Sequence, residues 1–509
     1  MESRQPDLRP QRGWTDVCGI AGMIGQPDET LLRRMLEVLR HRGPDDLGVA
    51  VDDRAAIGQV RLSIIDVEGG RQPIYGEDGR TCIVANGEIY NYRRLAKEIP
   101  KHRSRTRSDS EVALHLYEDL GPEFVSNLDG MFALAIWDGA NLYLARDPVG
   151  IKPLYYATVD GTFYFASEVK ALLGVTEFGI REFPNGHWYR TDRGFHRFSD
   201  WRTGLRSETD VDAAIQKAQR LLDAAVEKRL MSEVPLGTFC SGGLDSTLVT
   251  AIAAKHLETF HTFSTGMPGA PDLESAQRAA EFLGTTHHIR EFTEDEVLEH
   301  LPRVLWHLES FDAALVRSAV PTYFVSELAR KHVTVVLTGE GADELYAGYR
   351  YLNDLPPDAL HQELVRLTQT LHNLNLQRTD RMTMAHGLEG RVPYLDWAHV
   401  AFALGLPTEW RIHGADRIEK WILRRASQGL LPPDLLSRKK QKFAEGTGSV
   451  DVVRREAERQ LTDAEFERIR QDSRPIELRT KEEAYCYRLF RENFPKEVAL
   501  ECLGRTQVY

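Results

Sequence analysis

The octapeptide Phe239-Cys240-Ser241-Gly242-Gly243-Leu244-Asp245-Ser246 lies between an apolar run, Val234 to Phe239, and an amphipathic one, Thr247 to His256. That order spells strand, tight loop and helix. Two adjacent glycines let the backbone turn and approach a ligand closely, and the loop opens onto a helix N-terminus. Free N–H groups and the helix dipole favour an anion there. Ser241 and Ser246 add hydroxyl donors, and Asp245 is placed to hold a divalent cation against a phosphate. The Gly-Lys-Ser/Thr of a Walker loop is absent, so this is a phosphate loop of another kind. Taken alone, the stretch also matches an ordinary Gly-Ser turn.

Outward from it, the chain of 509 residues is long enough for two domains or more, each with its own core. A hydrophobic content of 42% and a charged content of 28% are those of a globular protein. A net charge of −12, with no dominant basic run, argues against a nucleic-acid partner. The five cysteines, Cys18, Cys82, Cys240, Cys486 and Cys502, form neither a disulfide framework nor a metal-ligand pattern, and a reducing cytoplasm fits them best. No apolar run approaches the ~18 residues of a membrane span, so no membrane partner is expected. Residues 1–17 are polar, without the apolar stretch of a secretory signal.

From Cys18 the chain turns apolar in a Gly-rich strand. An amphipathic helix with Leu31, Leu32, Met35, Leu36 and Leu39 on one face follows, ended by Gly43-Pro44. Asp138-Gly139 and Asp160-Gly161, each flanked by alternating apolar residues, predict hairpins over Met131 to Leu144 and Pro153 to Ala166. The first part is therefore β-rich and largely antiparallel. Between Thr191 and Asp210 the chain is polar and aperiodic, which predicts a linker. Beyond it, a helix over Val211 to Leu230 precedes strands at Val234–Phe239, His261–Thr265, His287–Phe292 and Val333–Thr338, with helices between. The expectation is an α+β domain over 18–200 followed by an α/β, doubly wound, mostly parallel-sheet domain over 208–509. Such sheets bind ligands at the carboxyl ends of their strands.

A second strand-to-glycine loop stands at Leu337-Thr338-Gly339-Glu340-Gly341-Ala342-Asp343-Glu344. A neighbouring parallel strand would bring its acids near the first loop, where Asp343 and Asp245 would share Mg2+ and neutralise a leaving pyrophosphate. Farther on, His386-Gly387-Leu388-Glu389-Gly390-Arg391-Val392-Pro393-Tyr394-Leu395-Asp396 and Arg438-Lys439-Lys440-Gln441-Lys442-Phe443 supply cations. The motif SGGLDS resembles the pyrophosphate loop of enzymes that cleave ATP to AMP. These blocks, in this order, resemble the synthetase domain of the glutamine-dependent asparagine synthetases. The resemblance implies that aspartate is activated as an acyl-adenylate and then attacked by ammonia. It gives Asp245 and Asp343 the magnesium-pyrophosphate role, and puts Cys240, Ser241, Gly242, Gly243, Ser246, Thr265, Thr338 and Gly339 around the nucleotide. Glu340 takes the place needed for aspartyl-AMP formation, Arg317 and Arg391 places near the acceptor, and Lys440 a place among the phosphates.

The first domain resembles the glutaminase half of the same class II amidotransferase family, on the blocks Cys18-Gly19-Ile20-Ala21-Gly22, His41-Arg42-Gly43-Pro44-Asp45, Arg61-Leu62-Ser63-Ile64-Ile65-Asp66, Asn86-Gly87-Glu88-Ile89-Tyr90-Asn91, Ser108-Asp109 and Arg146-Asp147-Pro148 through Tyr156. This implies an N-terminal-nucleophile αββα sandwich in which Cys18 attacks glutamine and its own α-amino group is the base. The implied glutamine site runs through Arg61, Leu62, Ser63, Ile64 and Ile65, with Glu88 lining the pocket, Asp109 at the substrate ammonium, and Asn86 and Gly87 as the oxyanion hole. A homodimer is the family's habit.

Two departures stand out. Cys18 follows 17 residues, and an acylated nitrogen is no base, whereas an α-amine with a pKa near ~8 is one. The expectation is that residues 1–17 are absent from the active protein: bacterial genes can start at a valine codon, and Val17 directly precedes the cysteine. In Glu309-Ser310-Phe311-Asp312-Ala313-Ala314-Leu315-Val316-Arg317, Ala314 and Leu315 replace two threonines of some bacterial members, which opens the alternative of a different acceptor carboxylate. Ring-closing β-lactam synthetases use the same adenylation but lack the glutaminase cysteine that this chain carries. A glutamine-sensing module with a dead second site is the non-enzymatic alternative, and it leaves the acids and glycines of both loops unexplained.

Overall fold

A computed structural model describes residues 18–43, 45–200, 208–438 and 441–506. The expectations that fall on residues 1–17 and on Lys440 lie outside the described residues.

The first domain is two antiparallel six-stranded sheets packed face to face. In one, the strand Gly19–Ile24 lies between Ala55–Arg61 and Thr162–Ala166. In the other, Cys82–Ile89, Gly130–Trp137 and Leu142–Arg146 run side by side. Ile20, Ile57, Val84, Ala133, Leu144 and Phe165 fill the space between the sheets. Helix Glu29–Val38 covers the outer face of the first sheet, burying Leu32, Met35 and Leu36 against Ala21, Met23 and Val60. Helices Tyr92–Glu98 and Asp109–Leu120 cover the second. The layers are thus α, β, β, α.

Both expected hairpins form, for local reasons. At 160–161 both turn residues have positive φ (Asp160 +47°, Gly161 +79°), and Val159 pairs with Thr162. That is the two-residue turn whose twist matches the strands. At 138–141 the loop is longer, and the Asp138 carboxylate accepts from the N–H of Ala140 and Asn141.

The linker begins later than the composition implies. His187–Arg190 and Gly194–Arg197 form a hairpin that adds to the strand Leu142–Arg146. It is an edge pair, so its outer residues are polar and its alternation is lost. Trp188 alone is deeply buried, stacked on His196 at 4.2 Å.

In the second domain, helix Val211–Arg229 leads into a five-stranded sheet, parallel throughout. The order is Thr286–Glu291, His261–Gly266, Leu236–Phe239, Val335–Leu337, Glu389–Arg391. Four of these strands lie within two residues of their expected bounds. The fifth, Glu389–Arg391, is absent from the sequence reading. It is three residues long, and two of them are charged, so no apolar pattern marks it; they are buried because they pair with each other at 2.8 Å. The chain leaves Leu236–Phe239 toward one side of the sheet and later returns on the other, at Val335–Leu337. The crevice of such a sheet opens at this switch point, between these two neighbouring strands.

The domains share cores as well as charges. Helix Glu29–Val38 and helices Glu294–Leu308 and Ala313–Arg330 contribute to one apolar cluster. Arg42, fully buried, donates to Glu168 of its own domain at 2.7 Å and to Asp380 of the other at 2.8 and 3.1 Å. Among the described residues, no helix is long and apolar enough to cross a membrane.

Candidate active sites

The loop after Phe239 is shaped by what cannot fit in it. Gly242 has φ +69°, and a Cβ there would lie 2.3 Å from the Ser275 carbonyl carbon. Ser246 Oγ accepts from the Ser241 N–H at 3.2 Å and sits 3.1 Å from Ser241 Oγ, closing the loop into a ring. Helix Leu244–Ala254 starts at once, earlier than expected, and no side chain caps it at Gly243. Its first N–H groups therefore face the crevice for an anion to take.

The second loop touches the first. A Cβ on Gly339 would lie 2.9 Å from Ser246 N and 3.0 Å from Asp245 Cβ. The two acids predicted to act together do meet: Lys420 Nζ lies 2.5 Å from Asp245 Oδ2 and 2.5 Å from Asp343 Oδ1. Tyr394 Oη donates to the Asp245 carbonyl at 3.3 Å. Glu340 is ion-paired with Arg378. Burial pushes the neighbouring Glu344 carboxyl up to about 7, with Asp343 adding to the effect. Two hydroxyls or thiols expected around the nucleotide are occupied or buried: Thr265 Oγ1 donates to the Arg290 carbonyl at 2.6 Å, and Cys240 is fully buried. Arg438 reaches the Ser241 carbonyl at 3.4 Å and Asp272 at 2.7 Å, on the wall of a cleft of about 350 Å³ that Ser275 and Arg278 also line.

The two arginines assigned to the acceptor share no partner. Arg317 makes a two-pronged pair with Glu482. Arg391, fully buried, donates to Glu389 and to the carbonyls of Arg229 and Met231, and turns its remaining nitrogen to Glu88 of the first domain at 3.3 Å. Its backbone, at the C-terminal end of the strand Glu389–Arg391, also holds the second glycine loop, because the Arg391 carbonyl accepts from the Thr338 N–H at 2.9 Å.

In the first domain, Cys18 Sγ accepts from the Leu62 N–H at 3.2 Å. Burial pushes its thiol up to about 12, so the sulfur needs a base to become a nucleophile. Arg61 sits inside the loop it begins, donating to the carbonyls of Ile65, Asp66 and Val67 at 3.4, 2.8 and 3.2 Å. Ser63 donates its N–H to Asp45 at 3.2 Å, and Leu62, Ile64 and Ile65 pack on Val335 and Met384 of the other domain, with Cys18 against them. Asn86 is 1% exposed, and neither atom of its amide has a hydrogen-bond partner among the described residues. Next to it Gly87 has φ +131°, and a Cβ would fall 1.9 Å from the Met131 carbonyl oxygen. A buried amide without a partner, beside a backbone only glycine can adopt, leaves donor and acceptor capacity for a polar group. Burial drives the Glu88 carboxyl well above its usual range against the pull of Arg391, and raises Asp109 to about 6 although the N–H groups of Ile89 and Ser110 donate to it. The Arg146-Asp147 block is scaffolding: Asp147 gathers the N–H groups of Val149, Gly150, Ile151 and Lys152.

Lys420, Arg378, Glu389 and Lys152 were not singled out for these sites from sequence. Lys152 reaches Glu389 across the domain boundary at 3.4 Å. For Lys420 one signal existed in principle, since two acids meeting in a crevice require a cation, but nothing in its neighbours marks the residue.

Known proteins resemble both halves of the chain. A glutamine amidotransferase domain model matches residues 17–197, and an asparagine synthase model matches 217–357 and 353–499. The asparagine synthetase B [glutamine-hydrolyzing] of Escherichia coli is 37% identical, covering 96% of this chain and 93% of its own. Asparagine synthetase [glutamine-hydrolyzing] 2 of Arabidopsis thaliana is 36% identical over 95% of this chain and 88% of its own. Among solved structures, a glutamine phosphoribosylpyrophosphate amidotransferase from B. subtilis aligns over 53% of this chain and 65% of its own, at 21% identity and a TM-score of 0.32, too distant a likeness to add weight. With both domain models in order and relatives matched nearly end to end, this chain belongs to the family of glutamine-hydrolysing asparagine synthetases.

Proposed function

We propose that this chain makes asparagine from aspartate, ATP and glutamine in the cytoplasm. In a chain that starts at Cys18, the thiol loses its proton to the α-amine of the same residue and attacks the glutamine amide carbon. Asn86 and the Gly87 N–H receive the oxyanion, and ammonia leaves. Water then cleaves the thioester to glutamate. In the second site the aspartate β-carboxylate attacks the α-phosphorus of ATP, pyrophosphate leaves, and ammonia displaces AMP from the acyl-adenylate. Asp245 and Asp343 would hold Mg2+, which neutralises the leaving pyrophosphate. The convergence of both carboxylates on one point, the Lys420 ammonium, fits such an ion. Lys420 itself, and Lys440 by resemblance, add cationic charge to the phosphates.

The observation that carries this reading is the link Glu88–Arg391–Thr338. A glutamine-pocket carboxylate, a buried guanidinium and the nucleotide loop are consecutive neighbours across the domain boundary. Ammonia released at Cys18 meets the apolar contact of Leu62, Ile64 and Ile65 with Val335 and Met384, which would shield it from water. The test is incubation with aspartate, Mg-ATP and isotope-labelled ammonium, read by mass spectrometry. Labelled asparagine with stoichiometric AMP is expected. AMP and asparagine both absent from folded, ATP-binding protein would refute the reading.

A second reading keeps the chemistry and changes the acceptor. It is favoured by the pairing of Arg317 with Glu482, which occupies a cation otherwise open to the acceptor, and by Ala314 and Leu315, which offer no hydroxyl. AMP release with another carboxylate, and none with aspartate, would select it.

A further inference from the structure

On either side of Asp109 in sequence, but on the outer layer of the first domain, two histidines stand in a nest of carboxylates. His102 lies in the loop between helices Tyr92–Glu98 and Asp109–Leu120, and His115 and Glu118 are on the second of these helices. The imidazole rings stack at 4.4 Å, 18° from parallel. One ligand atom from each of His102, His115 and Glu118 falls within 4.8 Å of the others. Glu118 Oε2 is 2.8 Å from His115 Nδ1 and 3.6 Å from His102 Nδ1, and Glu77 Oε2 is 3.0 Å from His102 Nδ1. Bonds of ~2.0–2.1 Å in a tetrahedral shell set neighbouring ligand atoms about 3.3 Å apart, which these distances straddle.

The other ring nitrogen of His102, Nε2, meets Asp119 at 3.0 Å, and the buried Nε2 of His115 faces Glu111 at 3.5 Å. The carboxylate behind His102 favours the tautomer that leaves Nδ1 as the ligand. These outer carboxylates are themselves held: Glu111 by the N–H groups of Arg105 and Thr106, and Asp119 by Lys101. His115 is 1% exposed, yet the nest opens on a cleft of about 660 Å³ that Glu77, His102 and Glu118 line, so an ion has a way in.

We propose that His102, His115 and Glu118 form a binding site for a zinc-class divalent cation, separate from the magnesium site of the synthetase reaction. Two imidazoles with a carboxylate and an open fourth position are a donor set for zinc, cobalt or nickel rather than for magnesium. The ion would tie two chain segments together: the loop at His102, which Glu77 flanks, and the helix whose first residue is Asp109. Its role is to brace the element that presents Asp109 to glutamine. The alternative occupant is a proton: burial lowers the His115 pKa, but its hydrogen bonds to Glu111 and Glu118 overcome this and push it up to about 9.

The full chain, stripped with a chelator, is titrated with Co2+ and then Zn2+ while the visible absorption is followed. One equivalent giving the intense d–d bands of a tetrahedral N/O site, displaced by Zn2+, is expected. His102→Gln, on a surface loop, should weaken binding by about tenfold or more, and Glu118→Gln should do likewise. Zn2+ should raise the melting temperature of the parent and of neither variant. The proposal is overturned by an absence of bands, by thiolate charge-transfer bands that place the ion on a cysteine, or by binding that survives in both variants.

Discussion

Replacing Lys420 with Met isolates the charge that joins the two acidic loops. Met keeps the length and apolar stem of the side chain, and being unbranched it accepts the positive φ of +55° about as well as Lys does. Asp245 Oδ2 and Asp343 Oδ1 are each 2.5 Å from Nζ, so the two oxygens are at most about 5 Å apart. At an effective dielectric of ~20, two like charges at ~5 Å repel by about 3 kcal/mol, which matches the ~3–5 kcal/mol for stripping one partner from a buried pair. For a domain this large the loss lowers the melting temperature by roughly 5–10 °C. Mg2+ restores much of the deficit, since a divalent ion replaces the missing cation between the same carboxylates. Exchange of labelled pyrophosphate into ATP should fall by about 10²–10³, the size seen when one electrostatic stabiliser of a transition state is removed. Melting is followed in chelator and in millimolar Mg2+ by circular dichroism. A variant that melts like the parent in chelator, or that exchanges pyrophosphate at the parent rate, refutes both the pairing and its role.

Gly87→Ala should cost about 1–3 kcal/mol of backbone strain, since φ is +131° and the new Cβ would meet the Met131 carbonyl. Glutamine-dependent turnover should collapse while ammonia-dependent turnover stays; equal loss of both would mean general damage. Asp109 must be ionised to hold a substrate ammonium, and its carboxyl sits at about 6. kcat/KM for glutamine, already falling below the ~8 of the α-amine base, should therefore lose a further factor of about ten per pH unit below 6, as a proton takes the place of the ion pair, and the ammonia-dependent rate should show neither limb. A glutamine profile without this second break down to pH 5 would remove Asp109 from that role. Finally, the mass of glutaminase-active protein from its native source should begin at Cys18; activity in a chain that retains residues 1–17 would mean that the free α-amine is not the base.

The two glycine loops, the helix after the first, four strands of the parallel sheet and the Asp-Gly hairpins are written in consecutive residues. The turn glycines, side-chain caps and apolar alternation act within a few residues of one another, so local sequence carries them. The Cys18, Asn86-Gly87 and Asp109 blocks are read from their resemblance to the family, since each block alone carries little local signal. What required the tertiary structure is the set of buried charges that answer one another from distant places. Lys420 meets Asp245 from 175 residues away, and Arg391 meets Glu88 across a domain boundary. The strand Glu389–Arg391 is kept inside by its own ion pair, and His102 and His115 come together only when a loop folds back on a helix. Such pairs have no period and no spacing. A buried charge fixes only that some partner must be near it, and the fold alone decides which one arrives.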